Sequence, residues 1–244
     1  MADVVFPDAR EYLFPIFEVT VVDDTVDPKT RRYLGTGFYV SSIGDAITAG
    51  HVLPKPSDLA CKETAALITR WAVFEAFDVA LFSVNLPKTK FFKTSDMLVN
   101  PGEDLTVVGF PSHQVLGKGI EMRILKGHAA AVMPRIELNC PIPAGMSGAP
   151  VLIGMKAVGF ATGRVRSEEI DEQSEEITTI LGGHEKIEIR TTASIIYYGL
   201  ANTFWMMREA RDPVFDGMNL FDYIAFRIRA NSGHGEQAPP AAPR

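Results

Sequence analysis

Gly35 to Leu53 reads GTGFYVSSIGDAITAGHVL, and this stretch decides the architecture. An apolar run, Gly37 to Val40, is broken by Ser-Ser-Ile-Gly-Asp and resumes as Ala-Ile-Thr-Ala. Two short runs split by a glycine turn predict a β-hairpin. The second strand ends on Thr48-Ala49-Gly50-His51. A histidine delivered to a strand end is a side chain able to move a proton near neutral pH.

Outward from this hairpin the pattern repeats. Runs such as EYLFPIFEVTVV, ALITRWAVFE, VALFSVN, LTVVGF, IEMRILKGHAAAV, RIELN, PVLIG, KAVGFAT and KIEIRTTASI are short and rich in β-branched and aromatic residues. Turn-formers separate them, including VDDTVDP, SSIGD, VNPGED and IGMK. Many short strands without intervening helices predict an all-β sandwich or barrel, not a parallel α/β sheet. Residues 84–102, VNLPKTKFFKTSDMLVNPG, read as a connection between two sub-domains. DGMNLFDYIAFRIR places Met218, Phe221, Ile224, Ala225 and Ile228 at helical spacing, which predicts a terminal amphipathic helix. The last residues, NSGHGEQAPPAAPR, have the composition of a disordered tail.

Composition narrows the function. The 244 residues are 46% hydrophobic and 22% charged, with a formal net charge of -6. These are the proportions of a soluble globular chain. No Lys/Arg cluster offers a nucleic-acid footprint. No apolar stretch is long enough to span a bilayer. The N-terminus, MADVVFPDAREY, lacks the features of an export signal, so Cys61 and Cys140 are expected as reduced thiols and the location as cytoplasmic. No His/Cys/Asp/Glu grouping has metal-ligand spacing, and no cofactor motif is present.

Five histidines are available: His51, His113, His128, His184 and His234. Only His51 has a distinctive context. Downstream, FDVALFSVN sets Asp78 just before an apolar strand, a partly buried place suited to orienting an imidazole. Further on, Pro143 to Pro150 reads PAGMSGAP, with Ser147 between two glycines. This run fits an ordinary tight turn. It also fits a nucleophile whose neighbouring N–H groups face a substrate. The spacing from His51 to Asp78 is 27 residues and from Asp78 to Ser147 is 69.

TAGHV, DVAL and GxSGxP, in that order, resemble the chymotrypsin-fold (trypsin-like) serine peptidases. The short spacings are similar to the compact bacterial branch, the HtrA-type and glutamyl endopeptidase domains, without the PDZ extension of HtrA proteins. The resemblance implies two packed six-stranded antiparallel β-barrels with a C-terminal α-helix. The peptidase domain would span 10–230: barrel one at about 10–90, barrel two at about 100–201, a helical segment at 202–230, then a disordered tail at 231–244.

The resemblance also implies roles. Ser147 would be the nucleophile, His51 the general base and then acid, and Asp78 the orienting carboxylate of a serine endopeptidase working through an acyl-enzyme. The N–H groups of Gly145 and Ser147 would form the oxyanion hole. The specificity pocket would be walled by Pro141, Ile142 and Ala161, implying a small or medium apolar residue before the scissile bond. Thr162, Gly163 and Arg164 would pair with substrate as an added strand. Thr162 falls where the family often carries a hydroxyl that supports the catalytic carboxylate, although a plain strand threonine fits equally. Met146 stands where the digestive and clotting branch has an aspartate that pairs with a newly cut N-terminus, so no such activation switch is expected.

Three features stay open at this level. The acidic run Ser167 to Glu176, SEEIDEQSEE, lies in an expected loop from Arg164 to Gly183, either a lid over the pocket or a solvated hairpin tip. Cys140 reads as a buried structural thiol. The rival to an active peptidase is a dormant or partner-activated module that binds extended peptides. The expected partners are a protein or peptide substrate and a possible regulatory protein, with no nucleic acid or membrane.

Overall fold

β1 (Leu13–Val22) turns back into β2 (Thr25–Tyr39), and Val22 stands opposite Thr25. The sequence VDDTVDP, expected as a turn, is therefore mostly strand. The computed structural model describes residues 9–22, 25–53, 59–61, 66–84, 90–112, 121–132, 135–181, 184–208 and 217–231.

The hairpin read from Gly35 to Leu53 is present. β2 pairs with β3 (Asp45–Ala49), with Phe38 opposite Ile47. β4 (Leu59–Cys61), β5 (Ala66–Phe74) and β6 (Val79–Val84) complete a closed barrel in the order β1-β2-β3-β6-β5-β4. The short β4 was not anticipated; it closes the ring by pairing with β1, with Ile16 opposite Cys61. Every residue of β3 is buried. A strand covered on both faces has lost the alternation of a surface strand, and here the second cover comes from the other half of the molecule.

That half begins with β7 (Lys93–Thr94), β8 (Asp104–Gly109), β9 (Arg123–Ala131) and β10 (Ile136–Leu138), and continues with β11 (Pro150–Ile153), β12 (Lys156–Leu181) and β13 (His184–Thr203). The sheet order is β11-β8-β9-β10-β13-β12-β7, and β11 also pairs with β12. That last pairing makes a ring of six antiparallel strands, with β7 added parallel to β12.

The acidic run is not in a loop. Residues 167–176 belong to β12, which pairs with β13 from Val165 opposite Tyr198 out to Leu181 opposite His184. β-rich residues on both arms, ITTIL and KIEIRTT, extend the ladder through the charges. A register shift between Ser167 and Asp171 interrupts it.

The C-terminal helix forms as the spacing predicts: α1 (Phe204–Met207) is one turn, and α2 is Leu220–Asn231. Leu220, Tyr223 and Ile224 join the core cluster of barrel one, together with Phe204 and Phe160. Phe204 tilts against Phe38 and Phe160 and meets Phe221 edge to face, with ring centroids 5.9 Å apart. Such pairs add to burial energy through ring electrostatics. The tail lies outside the described residues from 232 onward. Among the described residues no helix is long and apolar enough to cross a membrane.

Candidate active site

His51 and Asp78 meet because of strand register. Ala49, the last residue of β3, stands opposite Val79, the first of β6. His51 lies two residues beyond one strand end and Asp78 one residue before the other. The Gly50 N–H donates to the Asp78 carbonyl at 2.8 Å and pins the two turns together. The His51 main-chain N–H donates to Asp78 Oδ1 at 2.9 Å, and His51 Nδ1 lies 2.9 Å from Oδ2.

Asp78 is the one non-glycine residue with positive φ among those described, at φ 48°. Aspartate tolerates this left-handed conformation better than most residues. Here it caps the turn Glu75–Phe77 and aims the carboxylate at the histidine. Burial alone would push the Asp78 carboxyl up. Hydrogen bonds from the His51 side chain and main chain, with the charges of His51 and Arg135, outweigh burial and hold it below its ordinary 3.8. Arg135 was not singled out in the sequence. Neither was Asn202, whose Nδ2 donates to the Phe77 carbonyl at 2.7 Å.

Ser147 lies in the loop between β10 and β11. Its carbonyl accepts from the Thr36 N–H of β2 at 2.9 Å, which locks the serine to barrel one. Gly148 follows with φ +83°, and a Cβ there would collide with the Thr48 hydroxyl and the Thr36 carbonyl. Only glycine lets the two barrels approach this closely beside the serine. Ala161 of β12 holds the loop from behind: its carbonyl accepts from Gly148, and its N–H donates to Ala149.

Gly145 has φ +91°. The carbonyls on either side of its α-carbon are both taken. Ala144 O accepts from the Ser112 N–H at 2.8 Å, and Gly145 O lies 2.6 Å from the Tyr33 hydroxyl and 3.2 Å from that of Thr36. Among the described residues, neither the Gly145 nor the Ser147 N–H donates to another protein group, and no hydrogen bond joins Ser147 to His51. Two undirected donors beside a hydroxyl can receive an anionic oxygen.

The model of the trypsin-like peptidase domain matches residues 35–159, just over half of the 244. The chain belongs to that family. Among solved structures, this peptidase is similar to an HtrA-type protease, AlgW with a decapeptide. The TM-score is 0.57 and the identity 13%, over 97% of this chain and 76% of that one. No curated protein matches.

The expected pocket residues differ in their exposure. Pro141 and Arg164 are exposed, Thr162 and Gly163 half-buried. Ile142 and Ala161 are buried, and Ile142 packs against Gly199 so closely that a Cβ on the glycine would come within 2.6 Å of Cγ1. Ile142 thus packs directly against the backbone of β13. Thr162 does not support Asp78. It is the extra residue of a β-bulge, since Ala161 faces Ala201 and Gly163 faces Leu200, and its hydroxyl donates to the Leu200 carbonyl at 3.4 Å.

Met146 is fully buried in the apolar core of barrel two, so its place is filled by packing and not by an ion pair. Cys140 is a free thiol and half-buried, not the buried residue expected, and its burial pushes the thiol up. Exposed His128 lies on β9, 3.3 Å from Asp104. His184 opens β13; His113 and His234 fall outside the described residues. Among the described residues no acidic, cysteine and histidine grouping could hold a metal.

Proposed function

We propose that this trypsin-like peptidase is a serine endopeptidase using Ser147, His51 and Asp78. One observation carries the reading: Asp78 engages His51 through Nδ1, which fixes the tautomer and leaves Nε2 as the nitrogen that exchanges protons. Ser147 is held on the same seam through Thr36. Ser147 Oγ attacks the peptide carbonyl carbon while its proton passes to His51 Nε2. The developing oxyanion is received by the N–H groups of Gly145 and Ser147. The tetrahedral intermediate collapses, the C–N bond breaks, and His51 returns the proton to the leaving amine. Water, deprotonated by His51, then resolves the acyl-enzyme.

Thr162 to Arg164 offer backbone to an extended substrate, and a protease of similar fold is described with a decapeptide. Ile142 beside the pocket favours a small residue before the scissile bond.

The absence of a Ser147–His51 hydrogen bond among the described residues favours one alternative, a module that binds peptides and awaits a partner. Such bonds are also long in many unliganded enzymes and tighten on substrate binding. Fluorophosphonate labelling, read by intact mass and peptide mapping with Ser147→Ala as control, separates the two. Adduct on Ser147 supports the peptidase. No adduct on folded protein overturns it in favour of the partner-activated module.

A further inference from the structure

We propose that Tyr33 is a positioning residue that latches the oxyanion loop from the opposite barrel. The inference rests on the reading of Gly145 as an oxyanion donor.

The argument starts from peptide planarity. In a trans peptide the C=O and N–H point to opposite sides. Ser112 holds the Ala144 carbonyl, so the Gly145 N–H of the same peptide faces away from Ser112. The next carbonyl, Gly145 O, points at Tyr33 and Thr36 of β2. With both carbonyls tied, Gly145 has no freedom to rotate about φ and ψ. Rotation is the one motion that would swing its N–H out of line, and glycine resists it least.

The protons can be counted. Tyr33 Oη lies 2.5 Å from the Phe110 carbonyl and 2.6 Å from the Gly145 carbonyl, with one proton to give. Thr36 Oγ1 accepts from the Phe110 N–H at 3.1 Å and has one proton, directed at Gly145 O or at Tyr33 Oη. Two arrangements of these protons are open. Tyr33 serves Phe110 while Thr36 serves Gly145, or Tyr33 serves Gly145 while Thr36 serves Tyr33. Both carbonyls are fully served only in the first, and both arrangements need the phenol. Without it, the Phe110 carbonyl loses its side-chain donor and the Gly145 carbonyl keeps only the longer bond from Thr36, and a carbonyl left unserved is costly.

The ring is part of the device. Tyr33 packs on Phe17, with centroids 5.6 Å apart. Its Cε1 would lie 2.7 Å from any Cβ on Gly145, so the ring also walls the glycine in. Burial pushes the phenol far above its ordinary range, which keeps it a donor at every working pH.

Tyr33→Phe keeps the ring and removes the hydroxyl. Two readouts test it. With peptide amide substrates, kcat should fall by roughly tenfold with KM little changed, less than the loss for deleting an oxyanion donor outright. In ¹⁵N-labelled protein, the Gly145 amide resonance should shift or split, while those of Leu81 and Val107 in the two barrel cores stay put. Thr36→Val, which removes the other hydroxyl, should move the same resonance and stands in if Tyr33→Phe does not fold.

A Gly145 resonance unmoved in a folded variant overturns the latch, whatever happens to kcat. An unchanged kcat in an active enzyme also overturns it. A shifted Gly145 resonance in a chain that neither labels nor cleaves upholds the latch and fails the peptidase reading instead.

Discussion

The side-chain amide of Asn202, on β13, donates to the carbonyl of Phe77, the residue before Asp78. One barrel thus grips the turn from which the other presents its carboxylate. Asn202 is 6% exposed, so water is a poor substitute. Asn202→Leu should cost about 1–3 kcal/mol, the penalty for an unserved buried carbonyl. Urea unfolding followed by fluorescence measures it. A midpoint equal to that of the wild type would show that the bond contributes nothing.

In the proposed peptidase, Ile142 sets the space beside the specificity pocket. Ile142→Ala should raise kcat/KM for a phenylalanine before the scissile bond relative to alanine by about tenfold or more, since each methylene in such a pocket is worth roughly 1–3 kcal/mol. The cavity should also cost about 2–5 kcal/mol of stability. A peptide series varied at that one position reads the first effect, and thermal unfolding the second.

The lowered carboxyl of Asp78 gives stability a definite pH dependence. Its folded value lies below the ordinary 3.8. The contribution is therefore fully present above the unfolded value and is lost as pH falls through the folded one. Denaturation from pH 6 down to pH 2 should show the gap between wild type and Asp78→Asn narrowing only below about pH 4. A gap constant across that range would mean that the carboxylate is not favoured by the fold.

Cys140 should react slowly. Burial raises its thiol above the ordinary 9.0, leaving little thiolate at neutral pH. Iodoacetamide at pH 7.5, followed by peptide mapping, should modify Cys140 more slowly than an unstructured cysteine peptide. Equal rates would contradict the raised value.

The parts of the site that follow from local pattern were legible in the sequence. His51 ends a hairpin whose paired residues and turn lie within nineteen residues, Gly35 to Leu53, so its place could be read directly. Asp78 and the PAGMSGAP loop declared themselves through their flanking strands. Tyr33, Ser112 and Asn202 did not. Each acts on a backbone group distant in the chain: 112 positions separate Tyr33 from Gly145, and 125 separate Asn202 from Phe77. A hydroxyl or amide on a strand carries no mark of which carbonyl will lie beside it after the barrels close. The nearest hint was a polar Asn202 within the apolar stretch before Phe204. The acidic run misled for a related reason. Charge density suggested a loop, while cross-strand pairing with β13 made it strand. The choice left open at Thr162 turned on a single inserted residue between Ala161 and Gly163, which is invisible in composition.

The aromatic contact of Phe204 with Phe38, Phe160 and Phe221 bears on the order in which the molecule can become whole. Synthesis delivers barrel one first, its last strand ending at Val84. The grip on Phe77 arrives only with Asn202, and the cover over Phe38 only with Phe204 and the helix after it. A nascent chain halted at Ile153 would already contain His51, Asp78 and Ser147, yet lack the Ala161 strand behind the serine loop and the amide that steadies the carboxylate turn. The cleft is finished from its far end, by residues that take no part in its chemistry.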